Sequence, residues 1–361
     1  MVKKIPIILV SGVAQEPMSV VSMSLLWDVP NAVAVRHDID VDRSVLVRTV
    51  SDMSGVIERV EVDIEHMCAH CAIREDIIPT LERLGGTGSW DTIIAQLPPA
   101  VGARNVCQEL ALAPDHAPHI EISAVLAALE GETVVELALG GAEVGELGVA
   151  CSSSDDRGIG EVTSAIIEFC DLVVHTGSLD QNAHDLLGVL TGPHGRISPV
   201  ADVQGGHLVE RIHDNEVSEA WVAEVRRNDL VSTPPENSKV WVLDFRSDRP
   251  FHPERMWENI ELLGGGERRA RGCFWLPTRA GSVLLWDGAG GQLRIGTSGS
   301  WGWDEPITRI VITGIDHGKE ELEQTLKDCL LTDEEIAEKG TFWESGSDGL
   351  EPWLGPIRYA A

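Results

Sequence analysis

The sequence predicts an α/β domain with a parallel-rich sheet, followed by a smaller α+β domain with an antiparallel sheet. Three observations predict it. The 361 residues exceed what one hydrophobic core usually fills, so two domains are expected. Apolar runs alternate with helical patterns through the first half, as parallel strands linked by helices require. Beyond residue 239, short strands broken by glycine lie between helices, the pattern of antiparallel pairing.

In the first half the strand candidates are residues 5–11, 32–37, 60–64, 92–97, 119–123 and 171–175. Between them helices are expected near 19–27, 43–56, 74–84, 100–112 and 159–170. The N-terminal apolar run is short and leads into Ser11-Gly12 without a small-residue cleavage site, so it reads as a first strand rather than a signal sequence. Residues 125–150 are acidic and rich in small residues, and 179–202 read as a helix and a Gly/Pro loop. Residues 205–238 are polar and end in Ser232-Thr-Pro-Pro-Glu236, so they read as a linker between domains 1–204 and 239–361. The second domain opens with an alternating strand from Lys239 to Phe245, then a helix over 253–263. Strands near 272–277, 282–286, 292–297 and 308–315 follow, and helices over 319–329 and 332–339 close it.

Charge narrows the function classes. The formal net charge is −30, with 10 Lys/Arg against 29 Asp/Glu in residues 1–195 and 18 against 29 in 196–361. Both halves repel a phosphate backbone, so non-specific nucleic-acid binding is not expected, while basic proteins, ribosomal proteins among them, are open as partners. A general solubility role for the charge stands beside that reading. No apolar run approaches the roughly 20 residues that span a bilayer. The seven cysteines are thinly spread apart from Cys68 and Cys71, which favours a reducing, cytoplasmic setting over a disulfide framework.

The densest chemistry lies in His66-Met67-Cys68-Ala69-His70-Cys71, which runs into Ala72-Ile73-Arg74-Glu75-Asp76. Thiolate and imidazole are preferred zinc ligands, so Cys68, His70 and Cys71, with water or His66 as a fourth ligand, are the candidate metal set. The other reading is a pair of ordinary cysteines at a strand-to-helix turn with both histidines on the surface. Glu75 and Asp76 are expected in the first turn of the next helix, at its positive end. Elsewhere, His116 and His119 read as a polar loop, and the acidic run from Asp38 to Asp42 as a solvated turn. Cys107, Cys151, Cys170 and Cys329 read as buried small apolar residues. For Arg268, Arg269 and Arg271, a salt-bridge role competes with a phosphate contact.

The cysteine stretch resembles the metal-motif segment of the CobW-like metal-chaperone GTPases, Gly-Cys-x-Cys-Cys-Thr-Leu-Arg-Glu-Asp, with His70 at the middle cysteine and Met67 at the glycine. The second half resembles the same family more extensively. Its matching segments are Arg249-Pro-Phe-His-Pro-Glu-Arg255 with Trp257, Arg271-Gly-Cys-Phe-Trp-Leu-Pro-Thr-Arg279, Gly299-Ser-Trp301 and Cys329-Leu-Leu-Thr-Asp-Glu-Glu335. This resemblance implies a P-loop NTPase-like first domain and a CobW C-terminal-like second domain.

The nucleotide motifs depart from that pattern. Where the family carries Ser-Gly-x-x-Gly-x-Gly-Lys-Thr-Thr after the first strand, this chain reads Ser11-Gly12-Val13-Ala14-Gln15-Glu16-Pro17-Met18-Ser19-Val20. The phosphate-neutralising lysine is Met18, and a glycine N–H is lost to Pro17. Glu16 adds a negative charge, and Ser19 keeps only the hydroxyl. The Glu-x-x-Gly switch is replaced by Gln96-Leu97-Pro98-Pro99. The base-reading Asn-Lys-x-Asp is replaced by His175-Thr-Gly-Ser-Leu-Asp180. The expectation is a pseudo-GTPase that binds no nucleotide and has no catalytic residues, with zinc as its one expected ligand. Family members with decayed nucleotide motifs include a factor that places a hibernation protein on ribosomes under zinc limitation. The resemblance therefore implies an interaction factor linked to zinc status; the alternatives are a GTP-dependent zinc or cobalt metallochaperone and a zinc buffer or sensor.

Overall fold

The structure, a computed structural model, describes residues 4–64, 66, 68–193, 195–223 and 225–357. It divides into two units, Met1–Leu137 with Ala142–Val222, and Ala138–Gly141 with Ala223–Ala361.

The first unit is built on eight strands: β1 (Ile5–Ser11), β2 (Ala32–Asp40), β3 (Val45–Asp52), β4 (Gly55–Val62), β5 (Thr92–Gln96), β6 (Ile120–Glu130), β7 (Leu172–Thr176) and β8 (Arg196–Pro199). Their order across the sheet is β4-β3-β2-β5-β1-β6-β7-β8. From β2 through β8 the neighbours run parallel, whereas β3 and β4 extend the sheet as antiparallel strands. Buried on both faces, β1, β5 and β6 read as near-continuous apolar runs, as inner parallel strands should. The helix Gln15–Asp28 covers one face with Met18, Val21 and Leu25 against Ile8, Val10, Ile94 and Leu126.

Two expectations fail in this unit. Residues 43–56 were expected to be helical and instead form β3 and the turn into β4. Val45, Val47, Thr49 and Val50 are β-branched and stiff at χ1, which favours the pleated sheet. Gly55, at φ 126°, supplies the turn conformation the hairpin needs. The expected linker also starts later than its composition suggests. Gly205–Val209 and Asn215–Val222 are helices of the first unit, tied down by Gly205 N–H donating to Asp28 (2.6 Å) and Arg104 paired with Glu219 (2.7 Å).

The second unit carries β9 (Val240–Ser247), β10 (Arg269–Phe274), β11 (Ser282–Ala289), β12 (Gln292–Ser300) and β13 (Thr308–Ile315) in the antiparallel order β12-β11-β10-β13-β9. Its core joins Trp241, Phe245, Phe251, Phe274 and Trp286 to Leu322, Leu326 and Cys329 of the closing segments. Phe274 meets Trp286 edge-on at 5.8 Å, an arrangement the ring quadrupoles favour. The expected helix over 253–263 is broken at Asn259 into Pro253–Glu258 and Ile260–Gly264. The basic cluster is structural where its partners are on view. Arg268 donates to the carbonyls of Leu262 and Gly265, and Arg269 is buried against Asp287. No helix among the described residues is long and apolar enough to cross a membrane.

Candidate functional site

Two places carry the candidate chemistry, the turn after β1 and the turn after β4. At the first, Ser11 and Gly12 pass into the helix Gln15–Asp28, whose N-cap, Ala14, offers no side-chain acceptor. Met18 is 0 % exposed, and its side chain belongs to the core beneath the turn. Pro17 is also buried. The position that the family resemblance sets against a lysine thus holds an apolar side chain turned inward. Gly12 has no room for a side chain, since a β-carbon there would meet the Ala128 carbonyl oxygen at 2.5 Å and Met18 Cγ at 2.9 Å.

Polar side chains beside this turn bond to one another. With its amide oriented to satisfy its neighbours, Gln15 accepts from Gln96 Nε2 (2.8 Å) and Arg36 Nε (3.0 Å) and donates to Asp38 Oδ1 (3.3 Å). Arg36 and Asp38 pair at 2.7 Å, and Gln96 Nε2 lies 3.5 Å from the Ser19 hydroxyl. Glu16 is exposed. In the segment after β5, Leu97 N–H donates to the Val10 carbonyl (3.0 Å) and Ala100 N–H to the Gly12 carbonyl (2.9 Å). Arg157 in turn donates to the Ala100 carbonyl at 3.1 Å. These contacts tie the turn to the segment after β5 through the carbonyls of Val10 and Gly12.

At the far end of the sheet, Asp180 caps the helix Gln181–Leu190 by accepting from Ala183 N–H at 2.7 Å. That is the ordinary work of an N-cap carboxylate. Nearby, Glu132 accepts from both the backbone N–H (2.8 Å) and the hydroxyl (2.9 Å) of Ser178. Those bonds hold its carboxyl below the usual carboxylate range.

The second turn carries the cysteines. Cys68 caps a short helix, Ala69–Ala72, with its sulfur accepting from Cys71 N–H at 3.1 Å. Both cysteines are half-buried, while His66 and His70 are exposed, and His70 Nδ1 lies 3.8 Å from Glu109. Met67, at the family's glycine position, lies outside the described residues. Among the described residues no group of three or more His, Cys, Asp or Glu side chains is gathered as a metal site. Cys68 and Cys71 therefore share one turn, but His66 and His70 are not drawn in with them.

The chain continues through a π-helical turn, Ile73–Ile77, into the helix Ile78–Thr87. Such turns recur at functional sites. This one carries Asp76 inward rather than leaving it solvated at a helix start. Asp76 is buried, accepts from Arg48, and lies 3.0 Å from His37 Nε2. Arg48 also reaches the Thr80 hydroxyl (3.0 Å) and Glu58 (2.7 Å). Asp38 and Asp40, expected in a solvated turn, are strand residues of β2, and His37, at the end of the expected strand, is buried.

Nothing in the spacing of the cysteines places Cys151 near this turn. Burial pushes its thiol up, Arg157 opposes that, and Cys68 is close enough to add a smaller upward push. No spacing rule links residues so far apart in the chain, so only the fold reveals the proximity.

The model of the cobalamin synthesis protein cobW C-terminal domain matches residues 240–330. A protein named as a zinc chaperone from Mycobacterium tuberculosis is 27% identical over 328 residues, covering 82% of this chain and 74% of its own length. Zinc-regulated GTPase metalloprotein activator 1 of Dictyostelium discoideum is 19% identical over 343 residues, covering 82% and 70%. Among solved structures, the Zn(II)-bound YjiA GTPase from E. coli aligns over 91% of this chain and 99% of its own, with 14% identity and a TM-score of 0.38. That likeness is too loose for its geometry to be transferred.

Proposed function

We propose that this chain, whose relatives and C-terminal match support the CobW-like metal-chaperone family, acts in zinc handling as an interaction factor that neither binds nor hydrolyses nucleotide. The observation that carries the reading is Met18, wholly buried in the core at the position of the phosphate-binding lysine. A buried apolar side chain supplies no charge to a triphosphate, and Pro17 supplies no N–H. The closed network of Gln15, Arg36, Asp38 and Gln96 supports the same reading.

Zinc is the ligand we assign to the second turn. Cys68 and Cys71 offer two sulfur ligands three residues apart, and His70, His66 or water complete the set once zinc draws them together. The partner we propose is a basic protein, with a hibernation factor delivered to ribosomes under zinc limitation as the specific case. The acidic charge and the family resemblance support that choice. The competing reading is a GTP-dependent zinc or cobalt metallochaperone, which the names of the relatives favour. A turnover assay with GTP and Mg²⁺, with and without zinc, separates the two. No phosphate release above buffer is expected, and zinc-stimulated release abolished by Ser19→Ala would establish the competing reading.

A further inference from the structure

The outer edge of β4 carries side chains suited to a second copy of the same strand. At the end of the order β4-β3-β2-β5-β1-β6-β7-β8, it pairs with β3 on one side only, and among the described residues no backbone group bonds to its other side. Exposed strand edges are usually blunted by charges, lysine above all, by proline, bulges or brevity. This edge is eight residues long, Gly55-Val-Ile-Glu-Arg-Val-Glu-Val62, with neither lysine nor proline. Val56, Ile57 and Val60 are exposed on it. The register shift against β3 falls between Val56 and Glu58, so the regular strand available for pairing is 58–62.

We infer that β4 is a self-association surface, pairing antiparallel with β4 of a second copy about a two-fold axis through Val60. Such an axis, normal to the sheet, keeps side chains on their own face, so five registers centre the pair on a residue of that segment. Centring on Glu58, Arg59 or Glu61 sets each against its own copy, and centring on Val62 sets Glu61 against Asp63, all of them repulsive. Centring on Val60 sets Val60 against Val60, and Arg59 against Glu61 twice, once on each side of the axis. This register alone is free of like charges directly opposed.

The side chains involved are available. Arg59, Val60 and Glu61 are all exposed, and Arg59 has no partner among the described residues. Glu61 holds only an exposed pair with Arg43, of the kind that contributes little. The −30 charge of each chain opposes any dimer at long range. At physiological ionic strength the screening length is about 8 Å, so that repulsion fades while directly opposed pairs persist.

Sedimentation of the full chain across a dilution series at physiological salt tests this. A reversible dimer is expected, and Arg59→Glu or Glu61→Arg alone should weaken it about tenfold by setting like charges across the axis. An equimolar mixture of those two variants should recover the association, as should the double variant R59E/E61R by itself. Because these positions are exposed, each variant should keep the wild-type circular dichroism and melting profile. A wild-type chain that stays monomeric would overturn the inference. So would a dimer indifferent to Arg59→Glu, or single variants whose loss neither the mixture nor the double variant repairs.

Discussion

Met18 Cγ lies where it would stand 2.9 Å from a β-carbon on Gly12, so the first residue of the turn and the residue at the lysine position are packed against one another. The contact makes this turn part of the core. It predicts the cost of reversing either residue. Gly12→Ala must displace the Ala128 carbonyl as well as Met18, and is expected to cost about 1–3 kcal/mol, the range for overpacking. Met18→Lys puts an unpaired ammonium into an apolar site and is expected to cost at least about 3 kcal/mol. Glu16→Ala, at an exposed position, should stay within about 0.5 kcal/mol. Urea unfolding of the three variants checks the ranking.

Asp76 is the buried hinge between the cysteine turn and the antiparallel edge of the sheet. It holds Arg48 and His37 from two strands while sitting on the π-helical turn that follows Cys71. Asp76→Ala leaves Arg48 and His37 facing a space that no longer accepts from them. A loss of about 3 kcal/mol is expected, the scale for breaking a buried pair on one side. Because β3 and the turn share this group, hydrogen exchange should quicken in 45–52 and 69–77 together, ahead of β6.

Much of the architecture was legible because apolar patterning reports burial directly. β1, β5 and β7 stand out as apolar runs, and the helix Asp333–Lys339 falls within the expected 332–339. β3 was not, because Leu46 and Val50, both buried, also match a helical repeat of four. The helices after residue 205 were not, because what fixes them is distant: Asp28, Arg104 and the Leu190 carbonyl that accepts from Trp221. At the candidate site, the methionine at position 18 was legible and its burial was not. A methionine there is compatible with a vacant pocket or with a filled core, and only packing distinguishes them. Likewise Asp76 looked like a helix-start acid because its partners lie in other strands.

The cysteines should sort by burial. The Cys107 thiol is pushed up to about 12 by burial, with Asp171 adding to it, and Cys329 to about 11 by burial. Cys68 and Cys71 are half-buried. Brief iodoacetamide treatment of the native protein near neutral pH should label Cys68 and Cys71 first, leaving the buried thiols until unfolding. Under the proposed zinc role, equimolar zinc should slow labelling at both positions, read by peptide mass spectrometry. Equal labelling rates with and without zinc would remove that role from the turn.

In the second unit, Glu335 accepts both guanidinium N–H groups of Arg255 at 2.7 and 2.8 Å and also the Thr332 N–H at 2.9 Å. The Arg255 bonds, foremost, hold its carboxyl down to about 2. A carboxyl depressed in the folded state stabilises fully above its unfolded value of 4.5, and that contribution drains away as pH falls towards 2. Solvent screening limits it to about 1 kcal/mol. Carbon-13 titration should find Glu335 ionised at pH 3 in the wild type. In Arg255→Ala its midpoint should move up towards the ordinary range.

The central claim is that the turn after β1 no longer holds a nucleotide, and calorimetric titration of the full chain with GTP and Mg²⁺ tests it most directly. The packing of Met18 and the missing N–H of Pro17 predict no saturable heat at any accessible GTP concentration. A saturable isotherm near one GTP per chain, lost when Mg²⁺ is withheld, would contradict the account.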